Sequence, residues 1–193
     1  MATWDVNDQP DYSQHLSQEQ LIAEFKRVWD YADTIYNELL TKEGAYAQPI
    51  QLRNQYIFYK GHMPGFSNIQ LQTKFMNNKS FNQEFDTLFE RGRDPDVNCP
   101  TKCHSHSEIP DIWPAMDKID EYIVECRKRL LKVLTSNDYA KYHSAFMLCI
   151  EHDLMHQETL LYMYQQLDGK YKKKPTSIPK LITDTAPLDD KRV

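Results

Sequence analysis

Glycine is scarce in this chain, and long apolar runs are absent from it. The sequence holds 5 glycines in 193 residues, fewer than the turns of a sheet protein of this size normally use, so the composition favours helices. The mean hydropathy is −0.71, and no apolar run approaches the roughly 18 residues that a membrane helix requires. We therefore expect a helical protein that does not insert into a membrane.

Charge and cysteine content exclude further classes of protein. The chain has 23 basic and 28 acidic residues, a net charge of −5 and an isoelectric point near 5.8, which argues against nucleic acid as a partner. The opening segment MATWDVNDQPDY lacks the basic and apolar parts of a secretory signal. Without an export signal, the 4 cysteines indicate reduced thiols and a cytoplasmic location rather than a disulfide framework.

Four stretches show the apolar spacing of amphipathic helices. They run over about 17–43, from about 50 through Ile69, from Trp113 to Val133, and over about 138–167. Ser17 and Gln20 have the spacing of a capping box at the first start, and Gly44 suits the first end. The short break before residue 138 predicts that the last two helices are antiparallel neighbours.

The predicted fold is all-α, a four-helix bundle with a long crossover loop between its second and third helices. The bundle is expected over 17–167, between an N-terminal arm (1–16) and a linker-like or disordered tail (168–193). Residues 77–111 are too long a connection to be inert in a compact domain. We expect an ordered functional loop there, with a short helix near Phe81–Phe89.

The fourth predicted helix contains two histidines spaced for metal binding. Four residues turn a helix by about 400°, so His152 and His156 lie within about 40° of each other on one face. That face is otherwise apolar, and neutral imidazole is a natural ligand for divalent transition metals. The order H-D-x-x-H lacks the glutamate base of the H-E-x-x-H metalloproteases, which excludes that class. The alternative is a pair of hydrogen-bonded core histidines.

His62, on the core-facing stripe of the second helix, is the expected third ligand. Three histidines leave coordination positions open, as catalytic metal sites do. Glu158 lies about 200° from His156 around the helix, so we expect it to support the site or to face solvent rather than to bind the ion. Cys149, one turn before His152, is expected either beside the metal or, more simply, in the core.

Two arginines in the crossover loop are candidates for substrate binding. Arg91 and Arg93 follow directly after the predicted short helix, and guanidinium groups bind carboxylates in a bidentate manner. The alternative is a solvated loop anchored by Asp94 and Asp96.

The same loop contains four side chains that bind zinc in other proteins. Cys99, Cys103, His104 and His106 lie close together in the sequence, so an independent zinc site is the hypothesis to weigh. We disfavour it, because adjacent residues such as Cys103 and His104 rarely point at one ion without a special turn.

Three segments of the chain resemble one known family. LRNQYIFYKGHMPGF, LFERGRDPDVNCPTKCHSHSEIPDIWP and IEHDLMHQETLLYM resemble, in that order, the N-terminal DinB-like domain of the ergothioneine and ovothiol sulfoxide synthases. The resemblance implies a DinB-like bundle in which His62, His152 and His156 bind a non-haem iron(II), with zinc or another divalent transition metal as the alternative. It also implies oxygen-dependent carbon–sulfur bond formation between a histidine derivative and a small thiol.

The chain departs from that family in two places. Asn54-Gln55 stands where relatives often have His-Pro after Leu-Arg. The family's formylglycine-generating-enzyme-like domain, which follows the bundle and shapes much of the substrate pocket, has no counterpart in these 193 residues. We therefore expect the chain to bind metal but to be incomplete as a catalyst, unless a protein partner supplies that domain. The alternatives are a metal-dependent small-thiol S-transferase and a non-catalytic metal-binding interaction module.

Overall fold

The described part of the chain is built from helices. The structure is a computed structural model that describes residues 10–75, 79–93, 96, 98–99 and 101–174, with the backbone alone at 73–75. Its α-helices are α1 (Gln18–Thr34), α2 (Tyr56–Phe75), α3 (Gln83–Phe89), α4 (Met116–Leu134) and α5 (His143–Gln166). The predicted all-α fold is confirmed.

The first helix begins where the sequence predicts and ends earlier. The side chain of Ser17 accepts a hydrogen bond from the backbone N–H of Gln20 (3.2 Å), and the Gln20 side chain accepts one from the Ser17 N–H (2.8 Å). This capping box satisfies two N–H groups at the helix start. After Thr34 the backbone continues as one π-helical segment, Ile35–Leu39, and becomes extended at Leu40.

The prediction that Gly44 ends the first helix is wrong. Gly44 lies in a separate 3-10 helix, Glu43–Tyr46. A Cβ at this position would come within 2.7 Å of the carbonyl oxygen of Tyr171. The close approach of two backbone segments, rather than helix termination, therefore requires the glycine.

The first residues of the expected tail pack against the segment that follows α1. The N–H of Thr41 donates to the Tyr171 carbonyl (2.9 Å), and the N–H of Lys173 donates to the Leu39 carbonyl (2.8 Å). Residues 168–174 are therefore tied to the bundle. The rest of the expected tail, 175–193, lies outside the described residues, as do 1–9 of the expected arm.

The central helix α2 begins at Tyr56, several residues later than the apolar spacing predicts. The preceding residues form turns instead. The N–H of Arg53 donates to the Ile50 carbonyl (3.0 Å), and the N–H of Tyr56 donates to the Ala47 carbonyl (3.3 Å). His62 therefore lies near the start of α2, in its second turn.

The short helix predicted in the crossover connection is confirmed as α3. The side chain of Asn82 accepts a hydrogen bond from the backbone N–H of Phe85 (3.1 Å) and caps its start. Between α3 and α4 the described residues form no further helix. The N–H of Ser107 donates to the Arg91 carbonyl (3.1 Å) and holds the end of that loop against its beginning.

The last two helices share an apolar cluster but pack less closely on each other than the short break between them predicts. α4 ends at Leu134 and α5 begins only at His143, after a 3-10 turn at Tyr139–Tyr142. In the described part of the chain, the extensive packing is that of α2 on α3, α4 and α5, and of α1 on α4 and α5.

Two clusters of buried apolar side chains form the core of the bundle. One surrounds α2 and α3 and includes Phe58, Phe89 and Tyr122. The other lies largely among α1, α4 and α5 and includes Phe25 and Phe146. None of the described helices has the length and apolar character needed to cross a membrane.

Candidate metal centre

Helices α2 and α5 bring the three predicted histidines together. The Nε2 atom of His62 lies 3.1 Å from Nε2 of His156 and 3.2 Å from Nε2 of His152. His62 and His156 are each 3% exposed, and His152 is partly buried. In the part of the chain that the structure describes, no other set of three or more His, Cys, Asp or Glu side chains is arranged to hold an ion.

Aromatic side chains of α2 restrain two of the imidazole rings. Phe66 stacks on His152, with ring centroids 3.7 Å apart and an interplanar angle of 9°. Phe58 stacks on His62 with a centroid distance of 5.0 Å. Phe58, His62 and Phe66 recur every four residues and therefore share one face of α2, which is the face that meets α5.

The outer nitrogens of two histidines show where their protons lie. Nδ1 of His62 is 2.6 Å from the carbonyl oxygen of Phe89, and Nδ1 of His152 is 3.2 Å from Oδ1 of Asp153. A carbonyl only accepts, so Nδ1 of His62 carries the proton and its Nε2 presents a lone pair to the centre. An ionised Asp153 would place the proton of His152 on Nδ1 in the same way.

This proton arrangement disfavours the alternative of ordinary core histidines. With both rings protonated on Nδ1, the lone pairs of His62 and His152 would face each other across 3.2 Å, which is repulsive unless a metal ion or a further proton lies between them. A proton on Nε2 of His156 could serve its contact with Nε2 of His62 but not the contact between His62 and His152. Nδ1 of His156 is buried and has no hydrogen-bond partner among the described residues.

Burial keeps two of the three histidines neutral. Desolvation, together with the proximity of His152, lowers the pKa of His62 to about 3. Desolvation, the other two histidines and the charge of Arg53 lower the pKa of His156 to about 2. Both imidazoles are therefore unprotonated near neutral pH, which is the form in which histidine binds a metal.

The spacing of the nitrogens fits a divalent transition metal. Metal–imidazole bonds are about 2.0–2.1 Å long, so two nitrogens bound at right angles to one ion lie about 3 Å apart. The observed Nε2 separations are 3.1 and 3.2 Å. Three neutral nitrogen donors suit iron, zinc, copper and nickel alike, so the donor set fits a metal without selecting one.

Asp153 lies behind His152, and no pattern in the sequence predicted this contact. The side chain is 2% exposed and accepts the hydrogen bond from Nδ1 of His152. Burial raises the pKa of Asp153, while the hydrogen bond from His152 and the charge of Arg127 act in the opposite direction. A carboxylate behind a ligating histidine fixes the ring and increases its basicity. The D of H-D-x-x-H was the available signal, but its burial is not visible in helical periodicity.

Glu158 and Cys149, the other two candidates on α5, lie apart from the three nitrogens. Glu158 is exposed at the surface of α5. Cys149 is 0% exposed and belongs to the apolar cluster among α1, α4 and α5. Neither side chain belongs to the group whose ligand atoms gather at the centre.

The two candidate arginines lie in different surroundings. Arg91 is exposed and lines a surface cavity with His106, and none of the three clustered histidines lines that cavity. The Arg93 side chain donates to the Gln51 carbonyl (3.3 Å), and the Arg93 carbonyl accepts from the Arg53 side chain (3.3 Å). Substrate binding by Arg91 or Arg93 stays a prediction.

The cysteines and histidines of the crossover loop form no comparable cluster within the described residues. Nδ1 of His104 lies 3.6 Å from a carboxylate oxygen of Asp96. Nδ1 of His106 is 2.8 Å from the carbonyl oxygen of the next residue, Ser107. The observed partners of these histidines are therefore local oxygen atoms rather than the loop thiols.

Comparison with known proteins identifies two curated relatives. Over 162 residues the chain is 40% identical to "Ergothioneine biosynthesis protein 1" of Neurospora crassa, which covers 82% of this chain and 18% of that protein. Over 151 residues it is 40% identical to the protein of the same name from Schizosaccharomyces pombe, covering 73% of this chain and 18% of that protein. The chain is similar to one part of ergothioneine biosynthesis proteins.

This similarity confirms the predicted relation to ergothioneine biosynthesis proteins at the level of a shared segment. The chain spans 18% of the length of each of these relatives, so most of each relative lies outside the matched part. No family model matches the chain, and the DinB-like assignment of the bundle stays a prediction.

Proposed function

We propose that this chain is the metal-binding part of a sulfoxide synthase of the ergothioneine type, and that it holds one iron(II) through His62, His152 and His156. The observation that carries the proposal is the convergence of three Nε2 atoms, two of them 3.1 and 3.2 Å from the third. The 40% identity to ergothioneine biosynthesis proteins supports the choice of reaction.

The proposed reaction joins a thiol to a histidine ring with one molecule of dioxygen. The thiol loses its S–H hydrogen and the ring carbon loses its C–H hydrogen as the C–S bond forms. One oxygen atom ends on sulfur and the other leaves as water, so dioxygen accepts four electrons in total. Iron(II), when bound, supplies the redox chemistry that lets dioxygen take part.

The residues of this chain hold and orient the metal on one side. His62, His152 and His156 present lone pairs, and the Phe89 carbonyl and Asp153 retain the protons of two rings on their far nitrogens. Three protein ligands leave the remaining coordination positions for substrates, as in catalytic sites of this kind.

We propose that contacts to the two organic substrates come largely from outside these 193 residues. Both substrates and dioxygen must be held in register, and misplacement by about 1 Å can lower a rate by about 10². The matched part makes up 18% of each relative, which leaves most of the relative's sequence to shape a pocket. A protein partner or further sequence would supply that pocket.

A chimera tests this function. The matched segment of the Schizosaccharomyces pombe protein is replaced by the corresponding segment of this chain, and sulfoxide formation is measured with a trimethylated histidine and either cysteine or a γ-glutamyl thiol. We expect sulfoxide from the chimera, none from a His62→Ala chimera, and little from the 193-residue chain alone. A chimera that binds iron without forming sulfoxide, or many turnovers by the chain alone, would contradict the proposal.

A further inference from the structure

The carbonyl group that orients His62 belongs to the last residue of a very short helix. Phe89 ends α3, which spans the 7 residues Gln83–Phe89. The last carbonyl groups of a helix have no partner within it, so the Phe89 oxygen is available for Nδ1 of His62, at 2.6 Å. A helix of two turns is not stable on its own. The proton on His62 therefore depends on whatever fixes α3.

Asp86, three residues before Phe89, fixes α3 to its neighbours. It is 5% exposed, although it carries a carboxylate. One oxygen accepts from Asn68 (3.1 Å) and Tyr122 (2.7 Å), and the other accepts from Gln72 (2.7 Å) and Ser80 (2.5 Å). These donors come from α2, from α4 and from the segment before α3, so a single side chain ties three parts of the fold together.

The face of α2 beside His62 is shaped to receive the end of α3. A Cβ on Gly61 would overlap the ring of Phe89, whose Cε1 would lie 2.6 Å away. A Cβ on Gly65 would lie 3.3 Å from the Cβ of Phe89. The two glycines let Phe89 rest directly on the backbone of α2, and this contact sets where its carbonyl oxygen can reach.

We propose that Asp86 is a positioning residue for the metal centre, which acts by fixing α3 and, through α3, the Phe89 carbonyl that keeps the proton of His62 on Nδ1. Groups that orient a ligating histidine affect metal affinity by about 10- to 100-fold. Asp86 has no hydrogen bond to the three histidines among those of its side chain. It also binds Asn68 and Gln72 of α2, so the tautomer of His62, which reports on the Phe89 carbonyl, is the readout that identifies the route through α3. Only the affinity measurement in the test below rests on the proposed metal-binding function. The measurement of the His62 tautomer does not.

The test compares Asp86→Asn with a buried carboxylate elsewhere. An asparagine at 86 keeps one acceptor oxygen but turns an N–H₂ group toward side chains that donate. The control is Glu24→Gln in α1, because Glu24 is 3% exposed and accepts from Tyr12 and Arg27. Both variants should unfold at lower temperature than the parent protein, and only Asp86→Asn should alter the centre.

Two readouts separate a positioning role from a purely structural one. In the metal-free protein, ¹⁵N NMR of the His62 ring should show the Nδ1–H tautomer in the parent and in Glu24→Gln, and a mixture in Asp86→Asn. Cobalt(II) affinity should fall about 10-fold or more in Asp86→Asn and stay unchanged in Glu24→Gln. A folded Asp86→Asn protein with the parent tautomer and the parent affinity would overturn the proposal.

If Asp86→Asn does not fold, Tyr122→Phe decides the question. It removes one of the four donors to Asp86 and should shift the tautomer and the affinity in the same direction by less. No shift in either would overturn the positioning role. Because the tautomer needs no metal, a parent protein that fails to bind cobalt would count against the metal centre and not against the role of Asp86.

Discussion

Two regions of this chain are rich in side chains that bind metals, and they are organised differently. The crossover loop carries Cys99, Cys103, His104 and His106 within eight positions. The three clustered histidines are spread over 95 positions, from His62 to His156. Only the histidines on α2 and α5 form a group that could hold an ion, among the residues that the structure describes.

The two regions differ in what holds their histidines rather than in how densely potential ligands occur in the sequence. His62 and His152 each direct Nδ1 at an oxygen atom held by the fold, at 2.6 and 3.2 Å, so Nε2 faces the centre. In the loop, His106 approaches the carbonyl of its own neighbour, and the side chain of His104 is 57% exposed. A centre forms where helix packing aims the nitrogen atoms at one another.

The largest effect should come from removing one clustered histidine. His62→Ala should lower the affinity for cobalt(II) or iron(II) by more than about 100-fold, since loss of a supporting group alone costs about 10- to 100-fold. The matched loop variant, His104→Ala, should leave the affinity unchanged. Titration followed by optical absorption measures both. Equal losses in the two variants would remove the distinction between the regions.

A smaller effect should follow from changing the carboxylate beside a clustered histidine, compared with the carboxylate beside a loop histidine. Asp153→Asn removes the charge that faces Nδ1 of His152 at 3.2 Å and should lower metal affinity about 10-fold. Asp96→Asn makes the same change beside His104, where the separation is 3.6 Å, and should have no effect. Competition with a chelator of known affinity measures the difference. An unaffected Asp153→Asn protein would show that the carboxylate is not a support.

The smallest effect concerns the pH dependence of stability in the metal-free protein. The pKa of His62 is lowered from 6.5 to about 3, so below pH 6.5 the unfolded chain takes up a proton that the folded chain does not. Stability from this group is therefore present above pH 6.5 and is lost as pH falls toward 3. Between pH 6.5 and 5.5 the loss should be about 1 kcal/mol for this histidine.

The His62→Gln variant tests this pH dependence directly. Urea unfolding in the presence of a chelator should show a shallower fall in stability for the variant between pH 6.5 and 5.5 than for the parent. At pH 8 the two proteins should show the same slope, because the histidine is neutral in both states there. Identical slopes across the acid range would mean that His62 is not held neutral by burial.

The sequence predicted the helices and the three histidines because both follow from repeating spacings. The apolar stripes placed His62 and His156 on faces directed at the core, and both are 3% exposed. The exact starts of the helices and their packing on one another could not be predicted from these spacings. The turns before Tyr56 and the 3-10 turn Tyr139–Tyr142 depend on local hydrogen bonds, and the second of these separates α4 from α5.

The groups behind the clustered histidines were harder to predict than the histidines themselves. The partner of His62 is a backbone carbonyl, that of Phe89, and a carbonyl leaves no mark on the sequence. The partner of His152 is Asp153. The sequence shows that the two residues are adjacent, but the burial of Asp153 depends on packing between helices. Tertiary contacts of this kind are set by the whole fold rather than by the spacing within one helix.

The ratio of iron to protein tests the central claim most directly. The chain is loaded with iron(II) without oxygen, freed of excess metal and analysed beside two double variants, His152→Ala/His156→Ala and Cys99→Ser/Cys103→Ser. We expect one iron per chain in the parent and in the cysteine variant, and almost none in the histidine variant. Stoichiometric iron in the histidine variant, or a ratio that falls from two to one in the cysteine variant, would contradict a single centre built by α2 and α5.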